Sequence, residues 1–431
     1  SGRPSQLSPE FAPQLLELLG NTISTEDIKR KGALTSLEEW EQIPGYCSLL
    51  HYIILNKQID SGLRFIAITC FKNAVHKYWI ARNQSTISIS KEEKASIREK
   101  IYELFDEENN LNAVHIALLY AKIARLDFPK EWPQVLHNLI AIEQSAGSSD
   151  LRKLRVLLAL KFTVKALSTK VLMVSRSQFQ KLTPDVLQYV GVMWGATNQQ
   201  ILASLQAITK GESPTQDLGA TMEACKLCLQ SMKPLLKYGV PKLNESQIAS
   251  ELLMALLPSL SEYIKYARAA NSLPPPMANY VKKYIIVTCK IVVELHKHRP
   301  GPFEPFLVPY LELMWGEISQ LSLELTAESV VLERLAVYCL RYIKNVITEH
   351  YFATPRDTSS KQQEVIREQN VIRELMTPQR VTQLAELLIS KFLCLSKEDL
   401  ELWSNDPEEF VSDMAADDFT FHVRPAAQAL L

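Results

Sequence analysis

The sequence predicts an all-α fold, a right-handed α-solenoid of stacked antiparallel helix pairs. Leucine, a strong helix former, occurs 61 times among the 431 residues. Glycine occurs 13 times, whereas an average chain of this length contains about 30. Apolar residues recur with the 3.6-residue period of a helix, and no convincing stretch alternates with the period of two that a strand requires. These observations argue against β-rich folds and against enzymes built on glycine-rich phosphate loops.

The predicted helices follow one another along the chain. Leu63, Ile66, Ala67 and Cys70 recur at i, i+3, i+4 and i+7 and begin the apolar stripe of a helix over 61–80. The same spacing predicts helices over seven further ranges, which are 94–106, 113–126, 151–167, 219–236, 249–265, 279–296 and 329–346.

The breaks between these helices recur at a nearly constant interval. Pro44, Pro129, Pro214 and Pro300 lie 85, 85 and 86 residues apart, and each belongs to a turn-forming cluster. Two units of about 42–43 residues fit each interval, and HEAT or armadillo repeats run to about 40–47 residues. The spacing therefore predicts HEAT repeats, each an antiparallel helix pair, that share one continuous core.

Charge and cysteine content indicate the setting of the protein. The net charge is -1, which excludes a global basic field for nucleic acid or a membrane. Seven cysteines are scattered singly, as in proteins of a reducing compartment. No stretch approaches the 18 apolar residues of a membrane span, and the first residues do not form a signal peptide. We therefore expect a soluble intracellular protein.

The sequence contains no catalytic or phosphate-binding motif of the kinds searched, which are GxxxxGK[ST], GxGxxG, HExxH and GxSxG. Cys225 and Cys228 form a CxxC without a second pair nearby, so we interpret them as packing thiols. Residues 296–298 (HKH) are interpreted as cations at a helix C-terminus. No catalytic residue, metal ligand or cofactor is assigned, and the chain is predicted not to be an enzyme. Four tryptophans are expected to anchor helices on one another, namely Trp79, Trp132, Trp194 and Trp315.

An acidic run separates the last predicted helices. Residues 397–418 contain nine acidic residues and one lysine, so the rest of the chain carries +7. The tryptophan, leucine and phenylalanine side chains of the run are expected to anchor it while its carboxylates face water. The run is either a solvated loop between helices or an electrostatic contact for a basic partner. The contact carboxylates would be Glu398, Asp399, Glu401, Asp406, Glu408 and Glu409.

Five ordered motifs extend from residue 37 to residue 410. Residues 37–46 (LEEWEQIPGY) match L-x-x-W-x-x-x-P-G-[FY], and residues 64–73 contain R-x-x-A followed by F-K-N. Residues 91–98 (KEEKASIR) open the next helix, and residues 123–133 (IARLDFPKEWP) match I-A-R-x-D-x-P-x-x-W-P. Residues 399–410 match D-L-E-x-W-x-x-D-P-E-E-F.

In these motifs the chain resembles the N-terminal part of the importin-β (karyopherin-β) family, whose members are considerably longer. Residues 76–79, 121–125 and 154–170 resemble its importin-eleven branch, called karyopherin one-twenty in fungi. The resemblance implies an importin that carries protein cargo through the nuclear pore, shuttles between cytoplasm and nucleus, and releases cargo when it binds Ran-GTP. It also implies binding of phenylalanine-glycine nucleoporins between outer helices, without direct binding of nucleic acid and without membrane insertion.

The resemblance also implies where Ran would bind, on the inner helices of the first repeats at 61–80 and 111–126. Residues 125–132 (RLDFPKEW) are expected to fix the loop between two repeats through Arg125, Asp127 and Trp132. The Ran-contact candidates are the polar residues of the two inner helices, Lys72, Asn73, Lys77, His115 and Lys122.

The resemblance divides the chain into five parts. Residues 1–8 are interpreted as a cloning remnant and disordered start, and 9–135 as the importin-β N-terminal domain with the Ran-binding repeats. Residues 136–396 would hold further HEAT repeats, 397–418 the acidic segment and 419–431 the start of a truncated helix. An exportin, and a HEAT-repeat scaffold or adaptor that does not depend on Ran, remain the alternative functions. A helical enzyme is a third alternative, against which the lack of a clustered catalytic constellation counts.

Overall fold

A computed structural model of the chain describes residues 4–81, 88–145, 147, 149–212, 217–269, 272–324, 330–351, 369–395, 397–408, 411 and 422–431. Every regular element in these ranges is a helix, and they contain no strand. The ranges predicted to be helical fall on helical residues, apart from residues 79–80, which form a bend, and residue 329, which lies outside the described residues. The prediction of an all-α fold is confirmed. No helix in the described part of the chain combines the length and the apolar character that crossing a bilayer would need.

The chain divides into two compact units, of which the first comprises Ser1–Thr197 and Leu218–Gly239. Its helices are α1 (Ala12–Asn21), α2 (Asp27–Trp40), α3 (Tyr46–Leu55), α4 (Ser61–Tyr78), α5 (Lys91–Lys100), α6 (Asn110–Asp127), α7 (Val135–Gln144), α8 (Asp150–Ser168), the first part of α9 (Met173–Thr209), and α10 (Gly219–Pro234). Helices α4, α6, α8 and α10 pack side by side in that order, while α3 packs on α4 and α7 on α8. Buried alanines such as Ala67, Ala117 and Ala159 allow the inner helices to approach closely.

The start of the chain is part of this unit. Leu7 is 4% exposed, and its N–H donates to the carbonyl oxygen of Pro44 at 2.8 Å. Gly45 has a φ of +88°, and a Cβ there would lie 2.3 Å from the Leu7 carbonyl oxygen. The disordered start that we expected over residues 1–8 is therefore wrong for residues 4–8, because an apolar residue packs against the turn before α3. Residues 1–3 lie outside the described residues.

The second unit comprises Asn198–Asp217 and Val240–Leu431. Beyond the end of α9 its helices are α11 (Gln247–Arg268), α12 (Pro275–His298), α13 (Pro300–Glu324), α14 (Val330–Val346), α15 (Pro378–Leu387), α16 (Lys397–Asn405) and α17 (Val423–Gln428). Tyr263 and Tyr284 stack at 3.7 Å between ring centres and join α11 to α12. Ala426 and Ala427 of α17 are buried, and α17 packs on α14.

The C-terminus of α12 contains one buried basic residue. His296 is fully buried, and its ring lies 5.7 Å from that of Phe303 and 5.2 Å from that of Tyr342. Residues 296–298 form the last turn of α12, as predicted, with Lys297 and His298 exposed and His296 buried. The residue falls on the apolar face of α12, which α13 and α14 cover.

The predicted breaks coincide with the ends of helices. Pro44 precedes α3, Pro129 follows α6, and Pro300 is the first residue of α13. This agrees with the chemistry of proline, which lacks an N–H and is tolerated in a first helical turn but disfavours the helix interior. Pro214 lies outside the described residues.

Candidate partner-binding surface on the inner helices

Side-chain caps define where α4 and α6 begin. The Asp60 carboxylate accepts hydrogen bonds from the N–H groups of Gly62 (2.8 Å) and Leu63 (3.2 Å). Asn109 caps α6 in the same way, through the N–H groups of Leu111 and Asn112. The Asn112 amide also donates to the Ser61 carbonyl oxygen at 3.1 Å, which aligns the two helix starts. These caps satisfy N–H groups that would otherwise have no partner at a helix terminus.

A buried ion pair joins the same ends of the inner helices. The Arg64 guanidinium pairs with the Glu107 carboxylate, and their side chains are 9% and 4% exposed. Arg64 also donates to the Ile59 carbonyl oxygen at 3.1 Å. Arg155 of α8 donates to the Glu107 carbonyl oxygen at 2.9 Å, so one short segment contacts α4 and α8. Burial makes this pair costly to break, because either partner alone would be an uncompensated charge.

The opposite ends of α4 and α6 are held by Asp127. Its carboxylate accepts hydrogen bonds from Trp79 Nε1 and from Arg98, both at 2.7 Å. Nearby, Arg125 donates to Thr169 Oγ1 at 2.8 Å, which connects α6 to the end of α8. The Trp132 ring lies 5.0 Å from the Tyr120 ring. Arg125, Asp127 and Trp132 thus fix the junction between two helix pairs.

The Glu93 side chain connects two consecutive helix pairs, because it lies on α5 and binds the N-terminal turn of α3. Glu93 of α5 accepts hydrogen bonds from the N–H of Gly45 (3.1 Å) and from the N–H and hydroxyl of Ser48 (3.0 and 3.1 Å). Negative charge is favourable there, because the N-terminal turn of a helix carries unpaired N–H groups.

Two of the five candidate residues meet on the inner surface. Lys72 Nζ lies 3.3 Å from Nδ1 of His115, and the His115 ring lies edge-on to Phe65 with ring centres 4.8 Å apart. Partial burial, together with the nearby Lys72 charge, lowers the pKa of His115 below its usual value of 6.5. A neutral imidazole accepts a hydrogen bond from the ammonium, so the pair presents one positive charge at pH 7.

The other candidates occupy different positions. Lys77 is ion-paired with Glu41 at 2.6 Å, and this hydrogen bond raises the pKa of Lys77. Asn73 is exposed on α4, while Lys122 is half-buried two turns beyond His115 on the same face of α6. The structure therefore brings Lys72 and His115 together and turns Lys77 toward Glu41.

The inner surface includes basic residues that sequence reasoning missed. His76 is exposed one turn beyond Lys72, at the i+4 position that shares its face. On α8, Lys161 lies over the Phe162 ring at 4.4 Å. Burial and the charge of Lys226 lower the pKa of Lys161. The helical period of α8 and α10 offers a signal in the sequence by which Lys161 and Lys226 could have been found.

A separate cavity of about 460 Å³ opens between the outer helices α5 and α7. Its aromatic floor is formed by Tyr120 and Trp132. Its principal lining residues are Arg98, Glu99, Tyr102, Tyr120, Trp132 and Ile142.

Comparison with known proteins gives a family match for the part of the chain that contains α3, α4 and α5. Residues 33–107 match the importin-beta N-terminal domain. The match spans α3 and α4 and lies within the range 9–135 predicted for this domain, and the predicted resemblance to the importin-β family is confirmed.

Relatives of the importin-beta type extend over almost the whole chain. Importin-11 of Homo sapiens is 26% identical over 417 residues, which cover 96% of this chain and 41% of the relative. Importin beta-like protein kap113 of Schizosaccharomyces pombe is 27% identical and is covered to 42%. The chain thus spans about two fifths of the length of these relatives, whose names are those of transport receptors and not of enzymes.

Solved structures of transport receptors share the fold. Lph2, a bidirectional nuclear transport receptor of S. cerevisiae, superposes with a TM-score of 0.77 at 23% identity, over 96% of this chain and 40% of Lph2. The exportin Cse1 in its cargo-free, cytoplasmic state superposes with a TM-score of 0.67 at 16% identity, over 98% of this chain and 41% of Cse1. These likenesses confirm the predicted fold class.

The acidic segment, which lies outside the matched residues 33–107, differs in part from the expectation. Glu401, Asp406 and Glu408 are exposed, as expected. Leu400 and Trp403 are 47% and 53% exposed, and Leu402 is half-buried, so the apolar side chains of the segment are less deeply buried than expected. An apolar side chain is buried only where another element packs on it. The local sequence pattern does not indicate whether such an element is present. Residues 409–410 and 412–421 lie outside the described residues, as do the side chains of Glu398 and Asp399.

The CxxC pair is buried. Cys225 and Cys228 have no exposed surface, and burial raises the pKa of the Cys228 thiol. Within the described ranges, no three His, Cys, Asp or Glu side chains are grouped so as to hold a metal ion.

Proposed function

We propose that this chain is part of a nuclear transport receptor, an importin that carries protein cargo through the nuclear pore and releases it on binding Ran-GTP. The observation that carries the proposal is the importin-beta N-terminal domain at residues 33–107. Relatives named importin over 96% of the chain support the same function. Such a receptor shuttles between cytoplasm and nucleus.

We propose that Ran-GTP binds the inner surface of α4 and α6. The site would use Lys72, Asn73 and His115 at its centre, with Lys77 and Lys122 toward its edges. The contact between Lys72 and His115 supports this assignment, because it holds a cation on an otherwise flexible side chain. Glu41 would position Lys77 in a similar way.

The first test is binding of the chain to Ran loaded with GTP and, separately, with GDP. We expect selective binding of the GTP form and roughly tenfold weaker binding by a Lys72→Ala/Asn73→Ala variant. The matched control is Lys57→Ala/Gln58→Ala, another adjacent pair with a lysine and an amide, which lies in the exposed turn before α4. Selective binding that neither variant weakens would retain the function and reject the site. Equal binding of both nucleotide forms would favour the scaffold alternative.

The direction of transport is a separate proposal. An importin and an exportin differ in the sign of the coupling between Ran and cargo, so that Ran-GTP weakens cargo binding in the first and strengthens it in the second. Importin-type relatives support import, whereas the likeness in fold to Lph2 and Cse1 is compatible with either direction. The measurement is cargo affinity of the full-length receptor with and without Ran-GTP. Tighter cargo binding with Ran-GTP would reject import.

We propose that the cavity between α5 and α7 accepts the phenylalanine ring of a phenylalanine-glycine nucleoporin repeat. The aromatic rings of Tyr102, Tyr120 and Trp132 support this, because offset ring contacts stabilise a bound ring. An exposed alanine on α7, Ala141, borders the cavity and offers a blocking substitution. We expect Ala141→Glu to weaken binding of a phenylalanine-glycine peptide and to leave Ran binding unchanged. Unchanged peptide binding would reject this groove.

We propose that the acidic segment contacts a basic surface of Ran or of a cargo. The exposed carboxylates of Glu401, Asp406 and Glu408 support it. The full contact set would also include Glu398, Asp399 and Glu409. A variant with all six changed to amides should bind its partner more weakly at low salt, and the difference should diminish as salt screens the charges. Unchanged affinity for both Ran and cargo would reject the contact.

A further inference from the structure

The turn before α9 and the first two residues of α9 together expose four consecutive apolar side chains. Val171, Leu172, Met173 and Val174 are 86%, 73%, 78% and 71% exposed. Single apolar residues are common on protein surfaces, but a contiguous group in contact with water is characteristic of an interaction site. We name residues 171–174 the apolar tip.

The backbone that carries the apolar tip is fixed on both sides. Lys170 Nζ donates hydrogen bonds to the carbonyl oxygens of Arg125, at 2.8 Å, and of Phe128. On the other side the N–H of Arg176 donates to the Leu172 carbonyl oxygen at 3.0 Å, which begins α9. A partner would therefore meet a preformed turn and would not need to order it first.

The apolar tip lies in a part of the first unit whose charged residues are all basic. Residues 151–184 contain eight basic residues and no acidic residue. At the far end of α8, Arg152 pairs with Asp106. Three basic residues nearer the tip are exposed and form no ion pair with any residue that the structure describes, namely Lys165, Arg176 and Lys181.

We propose that the apolar tip is a docking site for an acidic protein segment that carries leucine or tryptophan side chains among its carboxylates. The apolar side chains of that segment would cover the tip, and its carboxylates would meet the exposed cations beside it. Complementary charge of this kind selects partners and accelerates their encounter. Four apolar side chains without a lipid chain form only a small membrane anchor, which favours a protein partner over an anionic bilayer. The proposal is independent of Ran binding.

A peptide with the required chemistry can be taken from this chain. Residues 397–411 contain six acidic residues around Leu400, Leu402 and Trp403. A fluorescent synthetic peptide of this sequence is the probe, and its six carboxylates changed to amides give the control peptide. Binding to the whole chain would be measured by fluorescence anisotropy at about 50 mM and about 300 mM NaCl, which spans the range over which surface charges become screened.

We expect the acidic peptide to bind, and to bind roughly tenfold more weakly at the higher salt concentration or as its amide version. A Leu172→Ser/Met173→Ser variant should lose roughly tenfold or more in affinity, because two side chains no longer bury apolar surface. Val192→Ser is the matched control, since Val192 is 60% exposed on the same helix and lies outside the tip. Arg176→Gln should weaken binding and flatten its salt dependence.

Several results would overturn the proposal. Failure of the acidic peptide to bind would do so, as would equal binding by Leu172→Ser/Met173→Ser, or equal binding of the amide peptide. Vesicles of phosphatidylcholine with phosphatidylserine form a second arm. Vesicle binding that the double variant abolishes, with peptide binding unaffected, would assign the tip to a membrane instead. Self-association of the chain that the double variant abolishes and the Val192→Ser control retains would support the proposal and identify a second copy as the source of the segment.

Discussion

Arg64 in α4 and Glu107, three residues before α6, form an ion pair that is almost wholly removed from water. The pair joins the N-terminal ends of two inner helices whose exposed surface carries the proposed Ran site. Because Arg155 of α8 donates to the carbonyl oxygen of the same Glu107, three consecutive inner helices share one polar junction. The geometry of the exposed surface therefore depends on residues that no partner would contact.

Removal of one member of this pair should be costly. We expect Arg64→Met to lower the free energy of unfolding by about 3–5 kcal/mol, because Glu107 would remain as a buried, uncompensated charge. Lys57→Met is the control, since Lys57 pairs with Glu108 at 3.5 Å on an exposed surface, and such a pair contributes about 0–1 kcal/mol. The measurement is urea unfolding of both variants. Equal, small effects would show that the buried pair has no special importance.

The Asp127 junction can be tested in the same way. Asp127→Ala leaves Trp79 Nε1 and the Arg98 guanidinium without their acceptor, so we expect a loss of about 3 kcal/mol and a change in tryptophan fluorescence. Glu131→Ala removes an exposed carboxylate from the same turn and should change stability by less than about 0.5 kcal/mol. If both variants unfold at the same urea concentration, Asp127 does not hold the junction.

The pH dependence of His115 provides a readout of the inner surface. Its folded pKa is lowered, so the folded state binds fewer protons than the unfolded state as the pH falls through about 6.5. Protonation of His115 therefore lowers the free energy of unfolding in acid. Well above pH 6.5 the residue is neutral in both states and its titration does not affect stability. We expect Lys72→Met to raise the His115 pKa, measured by NMR of the imidazole C–H signals. A Lys130→Met control, at an exposed lysine in the turn after α6, should leave it unchanged.

Gly45 should tolerate no side chain. We expect Gly45→Ala to destabilise by more than about 1 kcal/mol, since its φ is +88° and the new Cβ would approach the Leu7 carbonyl oxygen to 2.3 Å. Gly195→Ala is the opposite case, because Gly195 lies within α9 and its new Cβ would meet nothing within 4 Å. That variant should gain about 0.5–1 kcal/mol, the usual difference in helix propensity. Thermal unfolding compares the two, and equal midpoints would contradict the steric argument.

The helices could be predicted from the sequence because their apolar period is regular and prolines mark their ends. Arg125, Asp127 and Trp132 could also be assigned to a junction, since the motif places them together in a turn after a helix. The candidates Lys72 and His115 follow from the family resemblance, which indicates the two inner helices, although their mutual contact does not. It requires the offset between α4 and α6, which the caps at Asp60 and Asn109 determine.

Other features depend on whether an element distant in the sequence packs over a residue, which the type of that residue does not indicate. Leu7 is buried because a turn 37 residues later closes over it, and His296 because two later helices cover the end of α12. Leu400 and Trp403 show the opposite outcome, since they have the composition of an anchor but remain half exposed. In each case the local sequence correctly indicates an apolar or basic residue, whereas the presence or absence of a neighbouring element determines whether its side chain is buried.

The hydrogen bonds from Gly45 and Ser48 to Glu93 have a consequence for how the chain unfolds. Helix α3 obtains its N-terminal carboxylate from α5 of the next helix pair, not from its own turn. Fraying at the start of α3 must therefore accompany detachment of α5, and amide protons at the two places should exchange with solvent as one cooperative unit. A helix pair whose capping carboxylate comes from the next pair cannot unfold alone. These hydrogen bonds therefore add to the cooperativity of unfolding that the apolar contacts between neighbouring repeats provide.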